Sequence, residues 1–412
     1  MSRLAHLCLA CLSLLPTAAR AAPLSTLTLA DAIALALRHN PDSLSTDEDV
    51  RGAQGALVQS HALPNPSLFI GALGTSLSPI DAPVPNQVGV SWTIPIGGKR
   101  AAGIDSARAA VDAASATRVA SRRQLAFDVE TAFIAVLEDQ AQLDFAKEDQ
   151  SGLRAAVDLD QIRYKDGKIA YGDVLKVRIQ SRGADDTVRQ RELALATDRA
   201  EVARLVGEGV LEPTFTLAGT LVAPPLVVQP SVDLLDHALA QRSDYQALAA
   251  SERSADAALT QARRQPIPDL GVTADYNHIP DMSGTFDVLL TASIPLFDRN
   301  RGNTVQADAA HRKARLAIVS LRAQIRSDLA VAIKSVETSR ARLEVYEHGL
   351  LADAKESLEI STHAYQEGRG TLLDYLDAEA SHRGVESEYR SAVAAAMLAV
   401  AKLRFVSGEE LP

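Results

Sequence analysis

The sequence predicts a mainly helical chain with transmembrane β-strands, in which long coiled helices join four short strands and an internal tandem duplication sets the order. Three observations predict this: where the prolines fall, landmarks that recur after about 200 residues, and dyad alternation in segments beside the prolines. A proline inside a helix costs about 3 kcal/mol. None occurs between Pro95 and Pro213, nor between Pro295 and Pro412, so the long helices belong in those gaps.

The landmarks recur in order. Asp31-Ala-Ile-Ala-Leu-Ala-Leu37 parallels Asp233-Leu-Leu-Asp-His-Ala-Leu239, and Leu63-Pro-Asn-Pro66 parallels Gln265-Pro-Ile-Pro268. Ile94-Pro95-Ile96 matches Ile294-Pro295-Leu296. Tyr164-Lys-Asp-Gly167 with Asp173 matches Tyr365-Gln-Glu-Gly368 with Asp374, and Arg204-Leu-Val-Gly207 matches Arg404-Phe-Val-Ser-Gly408. A period of this length points to repeated structural units. The resulting division is a signal peptide (1–21), a first repeat (22–207), a linker (208–230) and a second repeat (231–408). The first repeat has strands near 67–75 and 86–96, a long helix over 99–164 and a returning helix over 171–207. In the second, the strands fall near 269–278 and 285–296, and the helices over 301–365 and 371–407.

The leader carries Arg3, an apolar run from Leu4 to Leu15, and an Ala19-Arg20-Ala21 cleavage signal. Both cysteines, Cys8 and Cys11, lie within it, so the mature chain is expected to have no disulfide, lipid anchor or cysteine-held metal. No other stretch approaches the roughly 20 apolar residues of a membrane helix. Aromatics are 4% of the chain, with one Trp, which argues against the deep pocket of an ordinary soluble enzyme. A net charge of −10 argues against nucleic acid as a partner.

Val88, Val90, Trp92 and Ile94 alternate with Gln87, Gly89, Ser91 and Thr93, and Leu270 to Asn277 and Phe286 to Ile294 alternate similarly. This is the apolar-out, polar-in dyad of a transmembrane barrel; the segment near Ser67 alternates poorly. Alone, the strands also fit two hairpins of a soluble domain. The helices decide otherwise: some 65 proline-free residues reach about 100 Å at 1.5 Å each. Ile318, Leu321, Ile325, Leu329, Ala332, Val336, Leu343, Tyr346 and Leu350 form a coiled-coil-like stripe. Four strands cannot close a barrel, and an open edge in lipid leaves backbone groups unpaired. The barrel must therefore be shared between copies; two would give eight strands and three twelve, and sequence geometry leaves that choice open.

The opening Leu27-Thr-Leu-Ala-Asp-Ala-Ile-Ala-Leu-Ala-Leu-Arg-His-Asn-Pro41, the duplication, and the repeated Tyr-x-x-Gly-x5-Asp turn resemble the TolC-like outer-membrane factor family over nearly the whole mature chain. Trp92-Thr-Ile-Pro-Ile-Gly-Gly-Lys-Arg100 looks most like its heavy-metal branch, although the segment also reads simply as a strand-to-helix corner. The resemblance implies a homotrimer with a shared outer-membrane β-barrel of about twelve strands and a periplasmic α-barrel. It further implies a periplasmic adaptor (membrane fusion) protein, an inner-membrane pump and outer-membrane lipid as partners, with no nucleic acid. The expected role is the outer-membrane exit duct of a tripartite efflux system for a resistance-nodulation-division pump, carrying heavy-metal cations. Drug efflux or type I protein secretion is the alternative cargo, and an exported periplasmic coiled-coil scaffold the alternative of another class.

The repeated turn joins outgoing and returning helices at the end furthest from the strands, where Gly167 and Gly368 suit positive φ. Asp374 and Asp377 stand three apart on one helix face, and stacked carboxylate rings at a narrow pore attract cations. Thr371-x-x-Asp374 is equally a capping box, and one residue can serve both ends. Asp173 is the counterpart in the first repeat. By resemblance, the aspartates line a periplasmic constriction, and Tyr164 and Tyr365 match tip residues that hold a closed state. The family gate places an arginine where this chain has Gly370; Arg369 stands adjacent. His237, His278, His311, His348, His363 and His382 show no metal-ligand spacing, and no phosphate-cradling glycine loop is present. No catalytic residue, resident metal or cofactor is expected.

Overall fold

A computed structural model describes residues 24–71, 86–225, 234–278 and 283–409. The leader, residues 72–75 of the first expected strand, and residues 226–230 of the expected linker lie outside the described residues. The first helix, α1 (Leu29–His39), starts where the Thr28 hydroxyl accepts the Asp31 amide. At Asn40-Pro41 the chain turns into α2 (Pro41–His61): Asn40 Oδ1 accepts the amides of Asp42 and Ser43, and its Nδ2 donates to the Leu205 carbonyl at 2.9 Å. Proline suits the first helical position because its missing N–H is not needed there.

Strands β2 (Ser67–Gly71) and β3 (Gln87–Ile94) precede α3 (Lys99–Lys165), a helix of 67 residues, and α4 (Tyr171–Val206) returns beside it. The order is then repeated by α5 (Leu234–Gln241), α6 (Ser243–Arg264), β5 (Leu270–Asn277), β6 (Thr285–Ala292), α7 (Arg301–Val345), α8 (Leu351–Gln366) and α9 (Leu372–Ser407). No helix among the described residues is long and apolar enough to cross a membrane.

Two features differ from the sequence expectation. The second long helix is not continuous over 301–365: the backbone leaves helical geometry at His348 and Gly349, between α7 and α8. Glycine is a poor helix former, by about 1 kcal/mol against alanine, so the helix yields there. A further two-stranded sheet was not anticipated. In it β1 (Leu24–Leu27) pairs in parallel with β4 (Leu211–Leu217), which falls inside the expected linker. This small sheet closes the largest core, where Leu27, Ile33, Val129, Phe133, Val202, Val206 and Phe215 pack between α1, α3 and α4.

The other four strands form one antiparallel sheet in the order β2-β3-β5-β6, so the two halves meet at β3–β5. Register sorts the side chains by face. Leu68, Val90, Ala274 and Val288 share a row, as do Ile70, Val88, Tyr276 and Phe286. This apolar face is open, with Leu68 68% and Phe286 71% exposed. The opposite face carries Ser67, Ser91 and Thr273, then Asp275 and Asp287, then Gln87, Asn277 and Thr285, with Phe69 and Leu289 as apolar exceptions.

The Trp92–Arg100 segment forms the corner from sheet to helix. Gly97 and Gly98 take φ of 68° and 74°, Arg264 donates to the Gly97 carbonyl at 3.0 Å, and Lys99 pairs with Asp269 at 2.9 Å. At the corresponding corner of the second half, Asn300 takes φ of 55° and ties back to the Ala262 carbonyl. Asparagine tolerates the left-handed region better than most residues.

Candidate functional site

The helical hairpins α3–α4 and α8–α9 lie at the far end of the rod from the sheet, and their turns carry the expected glycines, Gly167 at φ 72° and Gly368 at φ 75°. The two tip tyrosines are not equivalent. Tyr365 is buried and donates its hydroxyl to Asp160 Oδ1 at 2.7 Å, across from α8 to α3. Arg163 clamps the same tyrosine twice, donating to its carbonyl at 2.9 Å and stacking its guanidinium 4.7 Å from the ring. Tyr375 stacks with the Tyr365 ring at 5.4 Å, and Val177 and Leu372 complete a small apolar seal. Tyr164 is half exposed and lies against Tyr171 at 5.3 Å.

Burial raises the Asp160 carboxyl above the usual carboxylate range, against the opposing pull of the Tyr365 hydroxyl and Arg163. Burial, followed by the bond to Asp160, raises the Tyr365 phenol well above its ordinary value. Asp173 on α4 bears electrostatically on both groups and pairs with Lys176 at 3.2 Å.

Asp374 forms the capping box. Its amide donates to the Thr371 hydroxyl oxygen at 3.2 Å, and its carboxylate accepts from that hydroxyl at 2.7 Å and from the Thr371 amide. Asp377 stands one turn on, and both carboxylates face solvent while Leu372, Ala378 and Glu379 point inward. No hydrogen bond or ion pair joins Asp374 or Asp377 to Asp173, Tyr164 or Tyr365 among the described residues of one chain. Arg369 is exposed and pairs with Glu367 at 3.2 Å. A side chain at Gly370 would meet the Ala364 Cβ at 3.0 Å, so glycine there lets the turn close on α8.

Asp160 and Arg163, which hold Tyr365, were not singled out from sequence. Neither was the buried set above them: Arg383 donates to Glu379 at 2.7 Å and lies 3.5 Å from Asp149 on α3. Burial, then hydrogen bonding and proximity to Asp149, pushes Glu379 up to about 8 while Arg383 opposes the shift. A buried acid spaced on the inner stripe of a helix was the available signal, and both Asp160 and Glu379 carry it.

The arrangement is a rod of hairpins capped at one end by a half-apolar sheet and at the other by acid-bearing turns. Comparison with known proteins agrees. The family model described as outer membrane efflux protein matches residues 32–208 and again 234–409. The chain is 26% identical to the cobalt-zinc-cadmium resistance protein CzcC of Cupriavidus metallidurans, over 86% of this chain and 83% of that protein. It is 30% identical to the nickel-cobalt-cadmium resistance protein NccC of Alcaligenes xylosoxydans xylosoxydans, over 74% and 69% respectively. The fold superposes on the crystal structure of the outer membrane protein VceC from Vibrio cholerae with a TM-score of 0.73 at 21% identity, over 92% of this chain and 96% of that one. The chain therefore belongs to the outer membrane efflux protein family and is an outer-membrane channel subunit that extends into the periplasm.

Proposed function

We propose that this chain is the exit duct of a tripartite heavy-metal efflux machine, working as a homotrimer with a periplasmic adaptor and an inner-membrane pump that supplies the energy. The observation that carries this reading is the four-stranded sheet, apolar and open on one face, polar on the other, and, among the described residues, unpaired at both edges, β2 and β6. Three such sheets joined edge to edge would give a twelve-strand barrel, wide enough for a solute path. The tandem recurrence of helices and strands then reflects an internal duplication that doubles the wall each copy supplies. The cargo follows from the metal-resistance relatives CzcC and NccC.

In this reading the α3–α4 and α8–α9 hairpins close the periplasmic end. Asp374 and Asp377 from three copies form two stacked carboxylate rings that favour cations, and Asp173 adds to the same negative field. Tyr365, held by Asp160 and Arg163, ties the second hairpin to the first inside each copy. Tyr164 and Arg369, both exposed, are left to contacts between copies.

Single-channel recording in planar bilayers tests this. Replacing Asp374 and Asp377 together by alanine should raise conductance and lower cation preference. Unchanged conductance and selectivity would remove the constriction from these residues. A deletion strain should become sensitive to zinc, cobalt or cadmium; sensitivity to drugs alone would reassign the cargo.

A further inference from the structure

The far end of the sheet holds a polar cluster that the periplasmic constriction does not use. Asp275 on β5 and Asp287 on β6 are direct cross-strand partners. Asn277 donates from Nδ2 to Oδ2 of both, at 2.8 Å each. Gln87 on β3 donates to the same oxygen of Asp275 at 3.0 Å, and the Thr285 hydroxyl lies 3.5 Å from Asp287 Oδ2. Asp275 and Asn277 are 8% and 7% exposed, and Phe69 and Asp275 close over the space that Gly89 leaves without a side chain.

Like charges opposed across strands repel. These two aspartates are the only charged residues in β2, β3, β5 and β6, so no lysine, arginine or histidine of the sheet offsets them. His278, one residue past β5, is exposed. Among the described residues, the hydrogen bonds to these two carboxylates come from neutral amides and a hydroxyl.

A second feature is independent of the acids. Asn277 Oδ1 is buried and has no hydrogen-bond partner, an arrangement that costs about 1–3 kcal/mol. It belongs to the carboxamide wedged between the two aspartates. Turning that group by 180° exchanges Nδ2 for Oδ1 without moving the backbone. The two carboxylates and a carbonyl oxygen would then converge where the N–H now sits, and such oxygens are the ligands hard divalent cations take. The amide hydrogens hold the place of a positive ion.

The geometry points to a divalent-cation site formed by Asp275, Asp287 and Asn277 at the outward end of the channel. This inference rests on the duct reading, which places the polar face in the lumen. The hairpin ends of β3, β5 and β6 are opposite the corners that enter α3 and α7, so the site sits at the exit, a rod's length from Asp374 and Asp377. An ion could reach it through the duct or from outside the cell.

The assembled full-length protein in a planar bilayer carrying KCl current provides the test, with ZnCl2 or CaCl2 added to one side at a time. Block of the wild-type current is expected in the range of about 0.1–1 mM typical of extracellular calcium sites. The Asp275→Asn/Asp287→Asn variant should need at least about tenfold more of either ion, with its KCl conductance and oligomeric state retained. Asn277→Thr keeps both carboxylates and should show a smaller loss, which serves if the double variant fails to assemble. Carboxylate-dependent block from the hairpin side identifies an external ion, and from the helical side an exported one; either supports the site. Equal block of wild type and variants, or block abolished only by Asp374→Ala/Asp377→Ala, overturns it. A wild-type protein that carries no current overturns the duct reading instead.

Discussion

Asp374 closes the capping box and carries the proposed pore charge, and a pair of substitutions separates the two. It is the third helical residue and accepts from the hydroxyl and amide of the N-cap Thr371. An asparagine oxygen can accept the same bonds and gives up only the charge's attraction to the helix dipole, about 0.3–1 kcal/mol, whereas alanine gives up both. Asp374→Asn should lose less thermal stability than Asp374→Ala, while both lower cation selectivity, as melting curves and reversal potentials would show. Selectivity unchanged in both variants would leave Asp374 as a cap alone. Glu379 supplies a pH dependence. Its folded-state pKa of about 8 lies above the ordinary 4.5, so the protonated acid is favoured in the fold. The stability it contributes is complete below about pH 4.5 and lost as pH rises through about 8. Relative to wild type, Glu379→Gln should gain Tm progressively across that window and then level off, by about 1 °C for a screened effect on the order of 1 kcal/mol in a chain of this length. A Tm difference flat with pH would contradict the protonated carboxyl. The doublet of acids at Asp374 and Asp377 was legible because local spacing alone places it on one face. Asp160 and Arg163 were not, because their meaning depends on Tyr365, 205 residues from Asp160 in sequence.

At the scale of elements, the corners are the least forgiving parts. Gly97 combines a φ of 68° with a position where any Cβ would run into Ile267. An L-residue in the left-handed region costs about 1–2 kcal/mol before that clash is counted. Gly97→Ala should therefore lower the yield of assembled oligomer measured by size-exclusion chromatography in detergent, whereas Gly52→Ala in α2, where a Cβ meets nothing within 4 Å, should leave it intact. Equal behaviour of the two would show that the corner is not constrained. The proline gaps foretold the rod helices, since one breaker decides a whole segment. They said nothing of the β1–β4 sheet, whose partners lie nearly 190 residues apart, one of them four residues long and the other containing Pro213. Short parallel pairing is set by the core it covers, here Leu27 and Phe215 over Phe133, and not by local pattern. The break at His348–Gly349 was likewise hidden, because an apolar stripe continues through Tyr346 and Leu350 whether or not the backbone stays helical.

At the scale of the molecule, the two faces of the sheet should respond oppositely to charge. Val288 lies mid-strand in the apolar row with Leu68, Val90 and Ala274, and is 62% exposed. If that face meets lipid, an arginine there costs about 2–4 kcal/mol at the bilayer midplane, once in each copy and so three times in a trimer. Ser67 belongs to the other face, in the row with Ser91 and Thr273, where a luminal arginine stays in water. Val288→Arg should deplete the protein from the outer-membrane fraction and leave degraded chain in the periplasm, while Ser67→Arg should insert normally and carry less cation current. In a soluble scaffold, both positions would be solvated surface and neither change would alter fractionation. Because β2 and β6 end the sheet without partners among the described residues, the failure of Val288→Arg should also be dominant: mixed with wild-type chains, it places a charged strand beside a neighbour's β2 in a shared wall. Co-expression should then lower the yield of wild-type oligomer, and a wild-type yield that is indifferent to the variant would mean that the copies do not build a common barrel.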